Sequence, residues 1–74
     1  MMNSIDLHGI KHSEVQVILD QFIWENMQKK TTEVSIITGH SKIMKKIVKE
    51  IVEDYMMTCE EEYNNSGKII IKLV

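Results

Sequence analysis

Twice before Met57 the chain passes from a short strand-like run, through a bend containing glycine and histidine, into a run with helical spacing. That doubled strand–bend–helix order restricts it to an α/β arrangement with a parallel pair of strands. In the first unit Ser4 to His8 alternates, Ile5 and Leu7 apolar, Asp6 and His8 polar, the period-two pattern of a strand buried on one face. Gly9 breaks the strand. Val15, Ile18, Leu19, Phe22, Ile23 and Met27 then fall on one stripe of a helix expected from Ser13 to about Lys29. Ser13 is its expected N-cap, with Gln16 completing a capping box. In the second unit Val34-Ser35-Ile36-Ile37-Thr38 is a β-branched run typical of a buried strand. Gly39 ends it, and a helix is expected from about Ser41 to Met57. Its apolar set is Ile43, Met44, Ile47, Val48, Ile51 and Tyr55; Lys42, Lys45, Lys46, Lys49, Glu50 and Glu53 face outward.

The remaining segment reads as a hairpin: a strand from Cys59 to Asn64, a turn at Asn65-Ser66-Gly67 with Gly67 suited to positive φ, and a strand from Ile69 to Val74. Two helices on a chain of 74 residues cover only one sheet face. The expected fold is therefore α/β (α+β): a two-layer sandwich in the order β-α-β-α-β-β, with a four-stranded mixed sheet and both helices on one face. Residues 1–74 are expected to form a single domain. The lone cysteine, Cys59, leaves no internal disulfide, so packing alone must hold the core. It reads as a small core or edge residue, not a nucleophile. No apolar run approaches the roughly 18 residues of a membrane span. Met1-Met2-Asn3-Ser4 lacks the basic start and apolar stretch of a secretory signal, so a cytoplasmic protein with no membrane partner is expected.

Parallel strands bring the two bends to one rim of the sheet, the usual ligand position in such folds. All three histidines, His8, His12 and His40, fall there, with Lys11 and Lys42 beside them and Lys45 and Lys46 one turn on. Solvated loop histidines without a chemical role are the plainer alternative. Asp6 and His8 are two apart, so a carboxylate stands near an imidazole that it could orient for proton transfer. The other reading is an Asp that caps the backbone of its own loop. A divalent cation such as Mg²⁺ is compatible with the pair, but no metal-ligand set can be read from the sequence.

The charge order of the second helix opposes its dipole. Lys42, Lys45 and Lys46 crowd the N-terminal end while Glu53 and Asp54 lie near the C-terminal end, each costing about 0.3–1 kcal/mol when exposed. A bound phosphate at the N-terminus would offset this; a solvated face that tolerates the cost is the alternative. The chain has no Arg, so any phosphate is met by Lys, His or backbone N–H. With a formal net charge of −2, nucleic-acid binding needs a local basic patch. Val17 and Trp24 lie almost opposite the first helix's apolar stripe. Partial burial is the favoured reading, with a partner, homodimer or base-stacking surface as the alternative. Glu60-Glu61-Glu62 reads as protection for an exposed strand.

The two rim motifs together resemble those of the small MutS-related (Smr) domain family, over roughly Ile5 to Leu73. Ile5-Asp6-Leu7-His8-Gly9 is similar to the family's Leu-Asp-Leu-His-Gly motif, with Ile for the first Leu. Thr38-Gly39-His40-Ser41 is similar to its Thr-Gly-x-Gly motif, except that Ser41 stands where the last Gly would be. The resemblance implies a nucleic-acid-binding domain, often with endonuclease activity on DNA or RNA. It gives Asp6 and His8 the catalytic role, and Thr38 and Gly39 a place against the nucleic-acid backbone. Ser41 either caps the second helix and offers a hydroxyl to phosphate, or narrows the loop.

The expectation is a nucleic-acid-binding protein that nicks DNA or cleaves RNA with the Asp-x-His pair. Here His40 or His12 steadies charge on the phosphate. Gly9, Lys11, His12, Thr38, Gly39, Ser41, Lys42, Lys45 and Lys46 form the binding surface. A non-catalytic nucleic-acid-binding module and a protein-interaction domain acting through Val17 and Trp24 are the rivals.

Overall fold

The computed structural model describes residues 3–62 and 65–73. Its elements are β1 (Asn3–Asp6), α1 (His12–Gln28), β2 (Glu33–Ile37), α2 (Lys42–Asp54), β3 (Thr58–Glu62) and β4 (Asn65–Lys72). They form a four-stranded sheet in the order β1-β2-β4-β3. β1 and β2 are parallel, with Ile5 beside Ile36. β4 runs antiparallel to β2 on one side and to β3 on the other. The fold is the expected mixed sheet with two helices.

Alternation along the strands decides which sheet face is covered. Leu7, Val34, Ile36, Ile69 and Ile71 are fully buried and meet Val15, Leu19 and Ile23 of α1 and Met44, Val48, Ile51 and Val52 of α2. Those twelve side chains are the core, and Ile5, Ile10, Ile18, Phe22 and Ile47 pack at its margin. The Tyr55 hydroxyl donates to Asp20 Oδ1 at 2.7 Å and ties the end of α2 to α1. That hydrogen bond, with burial, raises the Tyr55 pKa above its ordinary value.

Several local expectations change. α1 begins at His12 with Lys11 as N-cap and no side-chain cap, so Ser13 sits in the first turn. Ile10, packed against the core one residue before Lys11, draws the chain into the helix early. Met27 is exposed and Asn26 is buried; its Nδ2 donates to the Phe22 carbonyl and its Oδ1 accepts from Asn3 Nδ2. The core stripe of α2 is rotated toward Val52, which leaves Ile43 and Tyr55 exposed. Val17 and Trp24 are 69% and 62% exposed, so the partial burial expected for them does not occur.

Asn65-Ser66-Gly67 belongs to β4 and is not a turn, and Gly67 has no positive φ. Residues 63, 64 and 74, read as strand, lie outside the described residues. β3 is an outer strand, and Glu60 and Glu61 pair with Lys72 and Lys49 at 3.4 and 2.8 Å. Cys59 is half-buried there, and burial raises its thiol pKa. Among the described residues no helix is long and apolar enough to cross a membrane.

Candidate nucleic-acid interface

β1 ends at Asp6, one residue before the side chain that enters the core. Leu7 N–H still donates to the Ile37 carbonyl at 2.8 Å, and Ile10 N–H returns to the Leu7 carbonyl at 3.1 Å. The bend so closed carries Gly9 at φ +81, a backbone region that disfavours a side chain although the space around it is open. His8 therefore stands in the bend instead of on the strand. The Asp6 carboxylate accepts from the His8 main-chain N–H at 2.8 Å. Of the two readings of Asp6, backbone capping is the contact observed.

The second bend is anchored from below. Thr38 and Gly39 N–H both donate to the Gly67 carbonyl, at 2.8 and 3.1 Å. The Thr38 side chain is buried, its hydroxyl 3.0 Å from the Gly39 carbonyl oxygen and 3.3 Å from that of Gly67. Thr38 thus holds the loop from within and does not face solvent. Gly39 has φ +66 and lies beside the His8 ring: a Cβ there would stand 3.0 Å from His8 Cδ2. A Cβ on Gly67 would in turn stand 3.3 Å from the Gly39 backbone. The bends of β1 and β2 and the start of β4 therefore meet at one point.

Around that point His8, Lys11, His12, His40, Ser41, Lys42 and Lys46 are exposed, and Lys45 is half-buried. Ser41 is the N-cap of α2; its Oγ accepts from Met44 N–H at 3.1 Å. The first turn of α2 has no acidic residue and its last turn no basic one, so the charge order opposes the helix dipole as the sequence implied. Lys42, Lys45, Lys46 and Lys49 line an open groove against β3 together with Glu50, Glu53 and Glu61. Lys49 closes onto Glu61 at 2.8 Å, and that bond raises the lysine pKa and lowers that of the carboxylate. The end of the groove nearest the rim is the cationic one. Among the described residues no cluster of three or more His, Cys, Asp or Glu side chains is placed to hold a metal ion.

Sequence reasoning missed the part played by β4. Gly67 supplies the carbonyl and the bare α-carbon that seat the second bend, and Lys68 stands beside Ile37 at the same rim. Glycine followed by lysine carries no signal of this without the strand order.

Three comparisons bear on this arrangement. A family model described as the Smr domain matches residues 5–73. Among solved structures, the crystal structure of the Smr domain of Thermus thermophilus MutS2 aligns with a TM-score of 0.87 over 96% of each chain. Its sequence identity is 13%, so that likeness speaks for the fold alone. No curated protein matches the chain.

Proposed function

The chain belongs to the Smr domain family, and on that premise we propose that it binds nucleic acid at the rim and hydrolyses a phosphodiester bond there, nicking DNA or cleaving RNA. The observation that carries this reading is the His8 imidazole lying directly beside Gly39, which joins the two family motifs into one surface beside the lysine-rich start of α2. Such a surface suits a polyanion: Lys42 and Lys46 are exposed at a helix N-terminus whose first turn has no carboxylate.

In this reading His8 moves the proton, taking it as general base from the attacking water or giving it as general acid to the leaving oxygen. Asp6 acts on His8 through the main chain, holding the bend that aims the ring. His40 or His12 steadies charge on the phosphate, and Lys42, Lys45 and Lys46 hold its neighbours. Gly9, Lys11, Gly39 and Ser41 shape the surface between them, with Thr38 supporting it from beneath. A divalent cation such as Mg²⁺ is a candidate participant.

A second reading is a nucleic-acid-binding module without catalysis. It is favoured by the Asp6 carboxylate being engaged by a backbone N–H instead of the His8 ring. One experiment separates the two. Pure protein is incubated with plasmid and with labelled RNA, with and without Mg²⁺ or Mn²⁺, beside His8→Ala. Cleavage lost in His8→Ala with binding retained supports catalysis. Salt-sensitive binding with no cleavage in either metal supports the module. Cleavage unchanged in His8→Ala removes the catalytic assignment.

A further inference from the structure

The two outer strands differ in how they are protected. β3 carries Glu60 and Glu61 and a register shift between Glu61 and Glu62. Charges and bulges of this kind keep an edge from pairing with another chain. β1, Asn3-Ser4-Ile5-Asp6, has no lysine, proline or bulge. Because Leu7 N–H donates to the Ile37 carbonyl in a parallel register, ladder alternation turns the N–H and C=O of Asn3 and Ile5 toward β2 and those of Ser4 and Asp6 outward. Beside this edge, which no other described strand pairs with, lies a shallow apolar groove lined by Ile5, Ile18 and Phe22, its rim closed by Gln21 and Glu25, whose side chains bond each other at 3.1 Å.

We propose that a second copy of this chain pairs along this edge, its β1 antiparallel to the first, with the two-fold axis at Ile5. Directly opposed residues in an antiparallel pair point to the same face, so the axis must pass through a residue and not between two. An axis at Asp6 sets two carboxylates against each other. Among the described residues, an axis at Ser4 leaves a single hydrogen-bonded pair, Ser4 opposite itself. An axis at Ile5 makes Ser4 and Asp6 a hydrogen-bonded pair twice over and sets a hydroxyl opposite each carboxylate. It also joins the two Ile5–Ile18–Phe22 grooves on the helix side. The same four residues thus complement themselves in ladder phase and in hydrogen-bond donor and acceptor, without setting carboxylate against carboxylate, which a foreign strand would have to match separately. The product is a continuous eight-stranded sheet, with Ser4 of the second copy across from Asp6.

Analytical ultracentrifugation of the full chain over a range of concentrations tests this. The expected result is a concentration-dependent dimer. Ser4→Pro removes an outward N–H but no bond to β2, and should give a monomer with an unchanged circular dichroism spectrum. Ser4→Asp keeps every backbone group and sets like charges opposite twice. It should raise the dissociation constant about tenfold at low salt, and it stands in if the proline variant fails to fold. Trp24→Gln should leave the dimer intact. A wild-type chain monomeric at every concentration, a dimer indifferent to Ser4→Asp, or a dimer abolished by Trp24→Gln overturns the proposal.

Discussion

The His8 imidazole lies so close to Gly39 that a methyl group at position 39 would stand 3.0 Å from His8 Cδ2. These residues meet because β1 and β2 are parallel and in register, Asp6 beside Ile37, so that the bends following them rise side by side. Gly39 is backed in turn by Gly67, whose added Cβ would stand 3.3 Å from the Gly39 backbone.

Gly39→Ala should therefore act in two ways. At φ +66 a side chain carries backbone strain of roughly 1–2 kcal/mol, and the new methyl displaces the His8 ring. Urea unfolding should show a loss of about that size. Nucleic-acid binding or cleavage should fall further than in Lys11→Gln, which changes charge at the same rim without touching the contact. Gly67→Ala should be milder, because its Cβ would stand at 3.3 Å from the Gly39 backbone and only a small shift is needed. Equal activity in wild type and Gly39→Ala would falsify the seating role.

Asp6 can be tested by separating its shape from its charge. The His8 N–H bonds one carboxylate oxygen at 2.8 Å, and an amide oxygen accepts the same bond. Asp6→Asn should keep the bend and most of the binding, whereas Asp6→Ala should lose both, with stability down by about 1 kcal/mol. If charge on Asp6 tunes His8, the pH–rate profile of Asp6→Asn will shift; a profile that matches wild type confines Asp6 to positioning.

The lysines at the start of α2 make a prediction about salt. Each phosphate neutralised contributes a slope of about −0.9 to log K against log salt on duplex DNA. Replacing Lys42, Lys45 and Lys46 together by Gln should flatten the slope by roughly 2–3. The variant should fold at least as well as wild type, since these cations oppose the helix dipole. An unchanged slope would place the polyanion elsewhere.

The convergence of Asp6, His8, Gly39 and Ser41 was legible because it needs only two parallel strands and the bends that end them. Gly67 was not legible. Asn-Ser-Gly has turn chemistry, yet β4 runs through it because Gly67 must lie flat against Gly39 and its carbonyl must meet two N–H groups. Those demands come from β4 standing next to β2, a fact of strand order that local composition does not encode. Asn26 escaped for a similar reason: a polar residue earns burial only through partners, here Asn3 and the Phe22 carbonyl, that tertiary contact supplies. On α2 the apolar residues outnumber the positions the sheet can cover, so Ile43 and Tyr55 of the expected stripe are left exposed.

The bond between Tyr55 and Asp20 makes stability depend on alkaline pH. The hydrogen bond to the carboxylate, then burial, raises the folded pKa of Tyr55 above 10.0. A raised pKa contributes stability that is fully present below the unfolded value and is lost as pH rises through the folded one. Tyr55→Phe should cost about 0.5–1 kcal/mol at neutral pH, modest because the pair is partly exposed. The difference from wild type should hold steady to about pH 10 and shrink above it. Chemical denaturation of both chains across pH 7–11 checks this, and a gap that widens with pH would contradict it.

Ser41 is where the second motif departs from the family pattern, and its observed role makes the departure testable. Its Oγ caps α2 through Met44 N–H at 3.1 Å, satisfying one of the free donors at a helix start that has no acidic residue to help. Ser41→Ala should cost about 1 kcal/mol and Ser41→Gly only a few tenths. Ser41→Gly also recreates the family's Thr-Gly-x-Gly run and lets a phosphate approach the loop backbone more closely. If Ser41 narrows the loop, the glycine variant should bind or cleave nucleic acid better than wild type despite its slightly lower stability. If the serine hydroxyl itself meets the phosphate, Ser41→Gly and Ser41→Ala should both lose affinity, and Ser41→Thr should keep it, since threonine retains both the hydroxyl and the cap.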